Sequence, residues 1–100
     1  MIKRHIQTPI MHRAVEANGF VFFGGIIADD LTLDMAGQTR QVLDKLENYL
    51  AEAGTDNKRI VTATAYVSDL NLKKGMNDVW TQWFDADHLP ARATLGVADL

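Results

Sequence analysis

One stretch of this sequence decides how the fold begins: Ala14-Val15-Glu16-Ala17-Asn18-Gly19-Phe20-Val21-Phe22-Phe23. The dipeptide Asn18-Gly19 suits a type I′ turn, because both central residues of that turn need positive φ. The residues after it are aromatic or β-branched and favour a strand. The stretch therefore predicts a β-hairpin, and residues 2–8 predict a further strand at its edge.

Two amphipathic helices are predicted further along the chain. Between Asp34, a favourable N-cap, and Gly54, a favourable terminator, mostly apolar residues recur at spacings of three and four, which places them on one helical face. These residues are Met35, Thr39, Val42, Leu43, Leu46, Leu50 and Ala53. The second helix covers about residues 72–85, is weakened by Gly75, and ends before Pro90. Its apolar stripe, which we interpret as core, consists of Met76, Val79, Trp80, Trp83 and Phe84.

The remaining strands complete an α+β pattern. Residues 60–67 are rich in β-branched side chains and predict a central strand, and residues 92–97 predict a closing strand. The order ββ(β)αβαβ predicts a single domain, residues 1–100, with both helices on one face of a sheet. Because the strand at 60–67 is apolar on both faces, the second face should be buried as well. We therefore expect a closed threefold homo-oligomer.

Composition excludes several classes of protein. The chain has 100 residues, of which 47% are hydrophobic and 23% charged, as in a soluble globular domain. A net charge of −3 gives no basic field for nucleic acid or an anionic membrane. The chain has no apolar run of transmembrane length and no cysteine, and we expect no signal peptide because no apolar stretch follows the charged residues 3–5. We expect a cytoplasmic protein with no nucleic-acid or membrane partner.

No motif for a metal or cofactor is present, and we predict none. Asp29-Asp30 with Asp34 lacks the glycine turn and distal glutamate of a calcium loop, which favours a solvated loop. Gly24-Gly25 lacks the surroundings of a phosphate-binding loop and is better suited to close backbone approach. The histidines lack ligand spacing and are interpreted as surface residues, with an approach of His12 to the cleft as the open alternative: His5, His12 and His88.

The element order and several short motifs resemble the RidA/YjgF family. The most specific motif is Leu89-Pro90-Ala91-Arg92-Ala93, and the resemblance runs from about His12 to Leu100. The other matching stretches are 36–43, 51–54, 66–70 and 76–80. The resemblance implies a chorismate-mutase-like fold and a trimer with clefts between subunits. It also implies hydrolysis of reactive 2-imino and 2-enamino acids to 2-oxo acids and ammonia.

The resemblance also assigns roles to individual residues. Arg92 is implied to bind the substrate carboxylate, helped by backbone groups near Gly25 and Thr94. The chemistry agrees, because a guanidinium makes two parallel charge-assisted bonds to a carboxylate. Asn77 stands where the family carries an asparagine. The alternatives remain open: Arg92 as an ordinary surface or interface arginine, and Asn77 as a polar surface position or local cap.

Three departures from the family pattern concern the pocket. The family's Ser-Gly-Gln reads Gly24-Gly25-Ile26 here, and Met11 stands in place of a tyrosine. The family's water-orienting glutamate belongs to a strand beyond Leu100, and we expect the sequence to be truncated, since the sheet would otherwise have an abrupt edge. No catalytic residue is therefore identified. The loss of hydroxyl groups predicts a more apolar cleft.

Three functions follow from these observations, in decreasing order of support. The first is the imine hydrolase described above, and the second is a non-catalytic protein that binds small carboxylate metabolites in the same cleft. The third is an endoribonuclease, an activity that the resemblance also implies. It is least supported, because the chain is acidic and has neither a basic stripe nor a histidine pair for acid–base chemistry.

Overall fold

A computed structural model describes all residues from Met1 to Leu100. The chain forms five strands and two long helices, with short 3-10 turns between them. In chain order the elements are β1 (Lys3–Gln7), β2 (His12–Ala17), β3 (Phe20–Phe23), α1 (Met35–Glu52), β4 (Thr62–Val67), α2 (Lys73–Trp83) and β5 (Ala91–Gly96). The predicted α+β order is confirmed, including the edge strand beside the hairpin.

The hairpin turns at the predicted dipeptide. Asn18 and Gly19 have φ values of 53° and 81°, the left-handed values that a type I′ turn requires. β2 pairs antiparallel with both β1 and β3, and Val15 lies opposite Phe22. Since side chains alternate along a strand, Phe20 and Phe22 share one face of this sheet.

The strands are hydrogen-bonded in two sheets. The first has the order β1-β2-β3, and the second consists of β4 and β5 in parallel, joined through α2. Parallel neighbours need such a crossover connection. β3 pairs only with β2, and β4 pairs only with β5. The sequence predicts one sheet, whereas the structure has no hydrogen-bonded pairing between β3 and β4.

The first helix begins and ends where the sequence predicts. The Asp34 carboxylate accepts a hydrogen bond from the Gly37 N–H at 2.8 Å, which makes Asp34 the N-cap. Gly54, with a φ of 81°, follows the last turn. Leu43 and Leu50 are the buried residues of α1. Neither helix has the length and apolar character needed to cross a membrane.

The second helix approaches the first at the glycine in its sequence. A Cβ at Gly75 would lie 3.2 Å from Met35 Cβ and 3.4 Å from the backbone nitrogen of Ala36. Glycine therefore allows the close approach of α2 to the start of α1. Met76 and Val79 are buried on α2 and contribute to the core.

Each sheet keeps one exposed face with large apolar side chains. On the first sheet, Phe20 and Phe22 are 55% and 60% exposed. On the second, Tyr66 and Leu95 are 57% and 47% exposed. The opposite face of the second sheet carries the buried Val67, so one side of each strand supports the core while the other remains open.

Candidate functional site

Arg92 is the second residue of β5, and Ala91 separates it from the segment Leu89-Pro90. Exposure alternates along this strand: Ala91 and Ala93 are exposed, whereas Arg92 and Thr94 are half-buried. Arg92 and Thr94 therefore share one strand face, and Arg92 is directed towards α2.

The Arg92 guanidinium contacts two side chains on neighbouring turns of α2. Its Nη2 donates a hydrogen bond to Asn77 Oδ1 at 2.6 Å. Its Cζ lies 4.9 Å from the centroid of the Trp80 ring, within the range of a cation–π contact. Asn77 and Trp80 are three residues apart and so share one helical face. The Asn77 amide thus holds one edge of the guanidinium, while the Trp80 ring lies close to its central carbon.

The Trp80 ring is itself held by the core. It packs against Phe84 with ring centroids 4.6 Å apart, and Phe84 is buried. Trp83 meets the same Phe84 ring edge-on at 4.8 Å. The Asn57 side-chain amide donates to the carbonyl of Trp83 at 3.0 Å and fixes the end of the helix. These contacts place Arg92 against a rigid support.

Arg92 borders an open hollow between α2 and the segment before β5. Its lining combines one cation, two uncharged polar side chains and apolar walls: Asn77, Trp80, Thr81, Leu89, Pro90 and Arg92. The Thr81 hydroxyl donates to the carbonyl of Asn77 at 3.1 Å and is thereby engaged with its own helix. The hollow therefore offers a positive charge and hydrogen-bond donors beside apolar surface, which suits a small anionic ligand.

No carboxylate neutralises the charge of Arg92. Its side-chain hydrogen-bond partner is the uncharged amide of Asn77. Asp78, the residue next to Asn77, is paired with Lys74 at 2.8 Å. That hydrogen bond, together with the charge of Asp78, raises the pKa of Lys74. The acidic group next to Asn77 is thus engaged with Lys74, and the guanidinium can meet an anionic ligand.

Three other predicted pocket residues adjoin the first sheet: Met11 directly precedes β2, and Gly24 and Gly25 directly follow β3. The Gly24 N–H donates to the carbonyl of Arg13 at 3.0 Å and continues the pairing of β2 with β3. A Cβ built on Gly24 would lie 3.1 Å from Met11 Sδ, so the thioether occupies the space beside the missing side chain. Gly25 is exposed and has open space where a Cβ would stand.

The predicted site is therefore divided between two parts of one chain. Arg92 and Asn77 are in contact, and Met11 lies against Gly24. Arg92 belongs to the second sheet, whereas Met11 and Gly24 adjoin strands of the first sheet, and the two sheets are not hydrogen-bonded to each other. Thr94 lies opposite Ala65 in the second sheet. The substrate-binding roles of all these residues stay predictions.

Trp80 is the functional candidate that the sequence analysis did not connect with Arg92. The apolar stripe placed it in the core, whereas the structure leaves it half-buried with its ring against the guanidinium. The sequence contains one indication of this contact: Trp80 follows Asn77 by three residues, and this spacing sets both side chains on one face of the helix. Which strand that face meets depends on tertiary packing, which the spacing does not contain.

The acidic residues before α1 make separate local contacts. Asp29 pairs with Lys45. Asp30 accepts hydrogen bonds from the hydroxyl and N–H of Thr32, at 2.6 and 3.0 Å, and these lower the pKa of Asp30. Asp34 caps the helix. No group of three or more His, Cys, Asp or Glu side chains is placed to hold a metal ion.

Comparison with known proteins identifies the family. The family model described as Endoribonuclease L-PSP matches residues 5–100. A RutC family protein of Haemophilus ducreyi is 36% identical over 78 residues, which cover 78% of this chain and 67% of the relative. The chain belongs to the RidA/YjgF family. A RutC family protein of Synechocystis is 36% identical over 96 residues, with 89% and 74% of the two chains covered.

Solved structures of RidA/YjgF proteins confirm the fold class. A YjgF family member from Neisseria meningitidis superposes with a TM-score of 0.89 at 34% identity, covering 97% of this chain and 81% of its own. A protein of the conserved Rid family from Yersinia pestis gives a TM-score of 0.87 at 31% identity, with 94% and 79% covered. The α+β architecture described above is thus the RidA/YjgF fold.

Proposed function

We propose that this protein hydrolyses reactive 2-imino and 2-enamino acids to 2-oxo acids and ammonia in clefts between subunits of a cytoplasmic homotrimer. No metal or cofactor takes part in the proposed reaction. The observation that carries the proposal is the Arg92 guanidinium, hydrogen-bonded to the neutral Asn77 at 2.6 Å and paired with no carboxylate. Such a group binds a carboxylate through two charge-assisted bonds, and every 2-imino acid carries a carboxylate next to its imine carbon.

Arg92 acts in this reaction by binding and orienting the substrate. With the carboxylate held, the adjacent imine carbon has a defined position in the hollow. Water adds to that carbon of the protonated imine, the C–N bond then breaks, and ammonium leaves as the carbonyl of the 2-oxo acid forms. A 2-enamino acid first takes a proton at C3 and enters by the same route. Because these substrates hydrolyse unaided in water, positioning can supply much of the acceleration.

A homotrimer completes the site in this proposal. The apolar sheet faces that bear Phe22 and Tyr66 are open in the single chain. Packing these faces against identical copies in a closed ring removes them from water. Contact between subunits also allows the Met11–Gly24 pair of one chain to approach Arg92 of another. The intersubunit cleft is thus the place where both halves of the predicted site would meet a substrate.

Binding of small carboxylate metabolites without chemistry is the second candidate function. It is favoured by Met11 and Gly24, which contribute no hydroxyl group. It is also favoured by the lining of the hollow, which contains no carboxylate or imidazole. General acid–base catalysis needs such a group within hydrogen-bond reach. In this alternative, Arg92 retains the ligand and the bound molecule leaves unchanged.

A turnover assay on the complete reading frame separates the two candidates. An amino-acid oxidase acting on alanine generates 2-iminopropanoate, and pyruvate formation is compared with the spontaneous rate. We expect acceleration that is proportional to protein concentration and is reduced in Arg92→Ala. Pyruvate binding without acceleration would support the binding protein. If the same preparation cleaves single-stranded RNA and does not accelerate imine hydrolysis, the result would support an endoribonuclease and contradict both the imine hydrolase and the carboxylate-binding protein.

A further inference from the structure

Arg92 is held by two residues that leave its charge intact. We propose that Asn77 and Trp80 are positioning residues, which fix the guanidinium so that one complete donor edge is free to meet a carboxylate. This inference rests on the proposed carboxylate binding by Arg92. It assigns Asn77 a role that acts through Arg92 and requires its side chain to be uncharged.

The orientation of the Asn77 amide follows from the chemistry of its partner. A guanidinium has donors and no acceptor, so the carbonyl oxygen of Asn77 must face Arg92. The donor atom is Nη2, which carries one hydrogen on each of the edges it shares with Nε and with Nη1. When Asn77 takes one of these hydrogens, one edge is consumed and the other stays complete. Asn77 therefore selects the edge that can bind a carboxylate through two parallel bonds.

Trp80 fixes the plane of the same group. Arg92 Cζ lies over this ring at 4.9 Å from the centroid, and the ring packs against Phe84 with centroids 4.6 Å apart. The face of an aromatic ring attracts the cation electrostatically and is not a carboxylate that would pair with its N–H groups. Trp80 thus restricts rotation of Arg92 without competing with a ligand for its donors.

The neutrality of Asn77 is the property that separates this role from plain structural support. An aspartate at this position has nearly the same shape and would bind Arg92 more strongly, as a charge-assisted pair. If Asn77 only supported Arg92, the aspartate would serve as well or better. If Arg92 must stay available to an anion, the aspartate would occupy it and repel the ligand.

The first test measures pyruvate affinity by titration calorimetry on the Asn77→Asp and Asn77→Ala variants. We expect Asn77→Asp to lower the affinity roughly ten- to hundred-fold, since it competes for a charge-assisted contact. Asn77→Ala should lower it roughly two- to tenfold, because one orienting hydrogen bond is lost. Asp78→Asn is the matched control, because it changes a charge at the neighbouring position, where the side chain pairs with Lys74. This variant should leave the pyruvate affinity unchanged. Wild-type affinity in Asn77→Asp would overturn the inference.

The second test observes Arg92 directly in the protein without ligand. Nitrogen NMR of the guanidinium should show separate Nη signals in the wild type, because its rotation is hindered. Trp80→Ala should merge these signals, whereas Trp80→Phe should keep them separate, since it retains an aromatic face. Trp83→Phe is the matched control, because Trp83 packs on Phe84 but is not among the contacts of Arg92. Unchanged separate signals in Trp80→Ala would show that Trp80 does not hold the guanidinium.

These two readouts distinguish failure of the inference from failure of the proposed function. If the wild type binds no pyruvate, the proposed function fails, and the NMR signals still decide whether Arg92 is held. If the wild type binds pyruvate while the signals of every variant match those of the wild type, the proposed function stands and the positioning roles are refuted.

Discussion

Replacing Arg92 by alanine tests the residue on which both candidate functions depend. The variant removes a charge-assisted contact with the ligand carboxylate, which contributes about 1.5–3 kcal/mol. Arg92 is half-buried, so solvent screens the contact only in part. Since about 1.4 kcal/mol corresponds to a factor of ten, pyruvate affinity or kcat/KM should fall about ten- to hundred-fold.

The fold should survive this substitution. The variant leaves Asn77 without its partner, but Asn77 is half-buried and lines the open hollow, so water can replace the lost bond. Trp80 loses a cation–π contact of about 0.5–1 kcal/mol, while its packing against Phe84 remains. Arg92→Lys should recover little of the affinity, because an ammonium group cannot reproduce two parallel bonds.

Calorimetry with pyruvate and sedimentation should be carried out on the same preparation. Arg13→Ala is a matched control, because Arg13 also lies over an aromatic ring, that of Tyr49 at 5.6 Å, away from the hollow. We expect this control to keep its pyruvate affinity. An intact oligomer with unchanged affinity in Arg92→Ala would refute the assignment. If Arg92→Ala no longer forms the oligomer but each folded chain still binds pyruvate with wild-type affinity, Arg92 is a structural interface residue.

Three further predictions concern assembly, specificity and stability. Sedimentation should show a trimer, because the apolar sheet faces around Phe22 and Tyr66 are open in the single chain; a stable monomer at micromolar concentration would contradict this. Among 2-imino acids, those with larger apolar side chains should react fastest, since Leu89 and Pro90 border Arg92; a series led by the smallest and most polar substrate would argue against it. Leu50→Ala should lower the free energy of unfolding by about 2–5 kcal/mol, because Leu50 is 3% exposed. Urea denaturation at fixed protein concentration measures this, with the exposed Leu31→Ala as a control expected within about 0.5 kcal/mol of the wild type.

The parts of the fold that depend on residues close together in the sequence could be predicted from it. The turn at Asn18-Gly19 follows from the backbone preferences of those two residues. The start of α1 follows from a carboxylate placed to accept from the N–H three residues later, and its end follows from Gly54. These features depend on interactions between residues that are close in sequence, so the local sequence is sufficient to predict them.

The arrangement of the sheets and of the hollow could not be predicted in the same way. Strand propensity identifies a strand but does not say which strand pairs with it, so the division between β3 and β4 was missed. Likewise, the spacing of Asn77 and Trp80 sets them on one face of α2, but the rotation of that helix determines what the face meets. That rotation depends on long-range packing, such as the approach of Gly75 to Met35.

The pair formed by Met11 and Gly24 shows what the sequence alone could not establish about the pocket. In sequence these are two separate departures from the family pattern, each of which removes a hydroxyl group. In the structure they are one arrangement, because Met11 Sδ lies 3.1 Å from the place that a Cβ on Gly24 would take. A side chain at position 24 therefore requires the flexible thioether to move, and residues in contact do not contribute additively. If this pair lines the predicted pocket, the apolar character there belongs to both residues, and a serine at position 24 requires Met11 Sδ to move before it can restore the family's hydroxyl group.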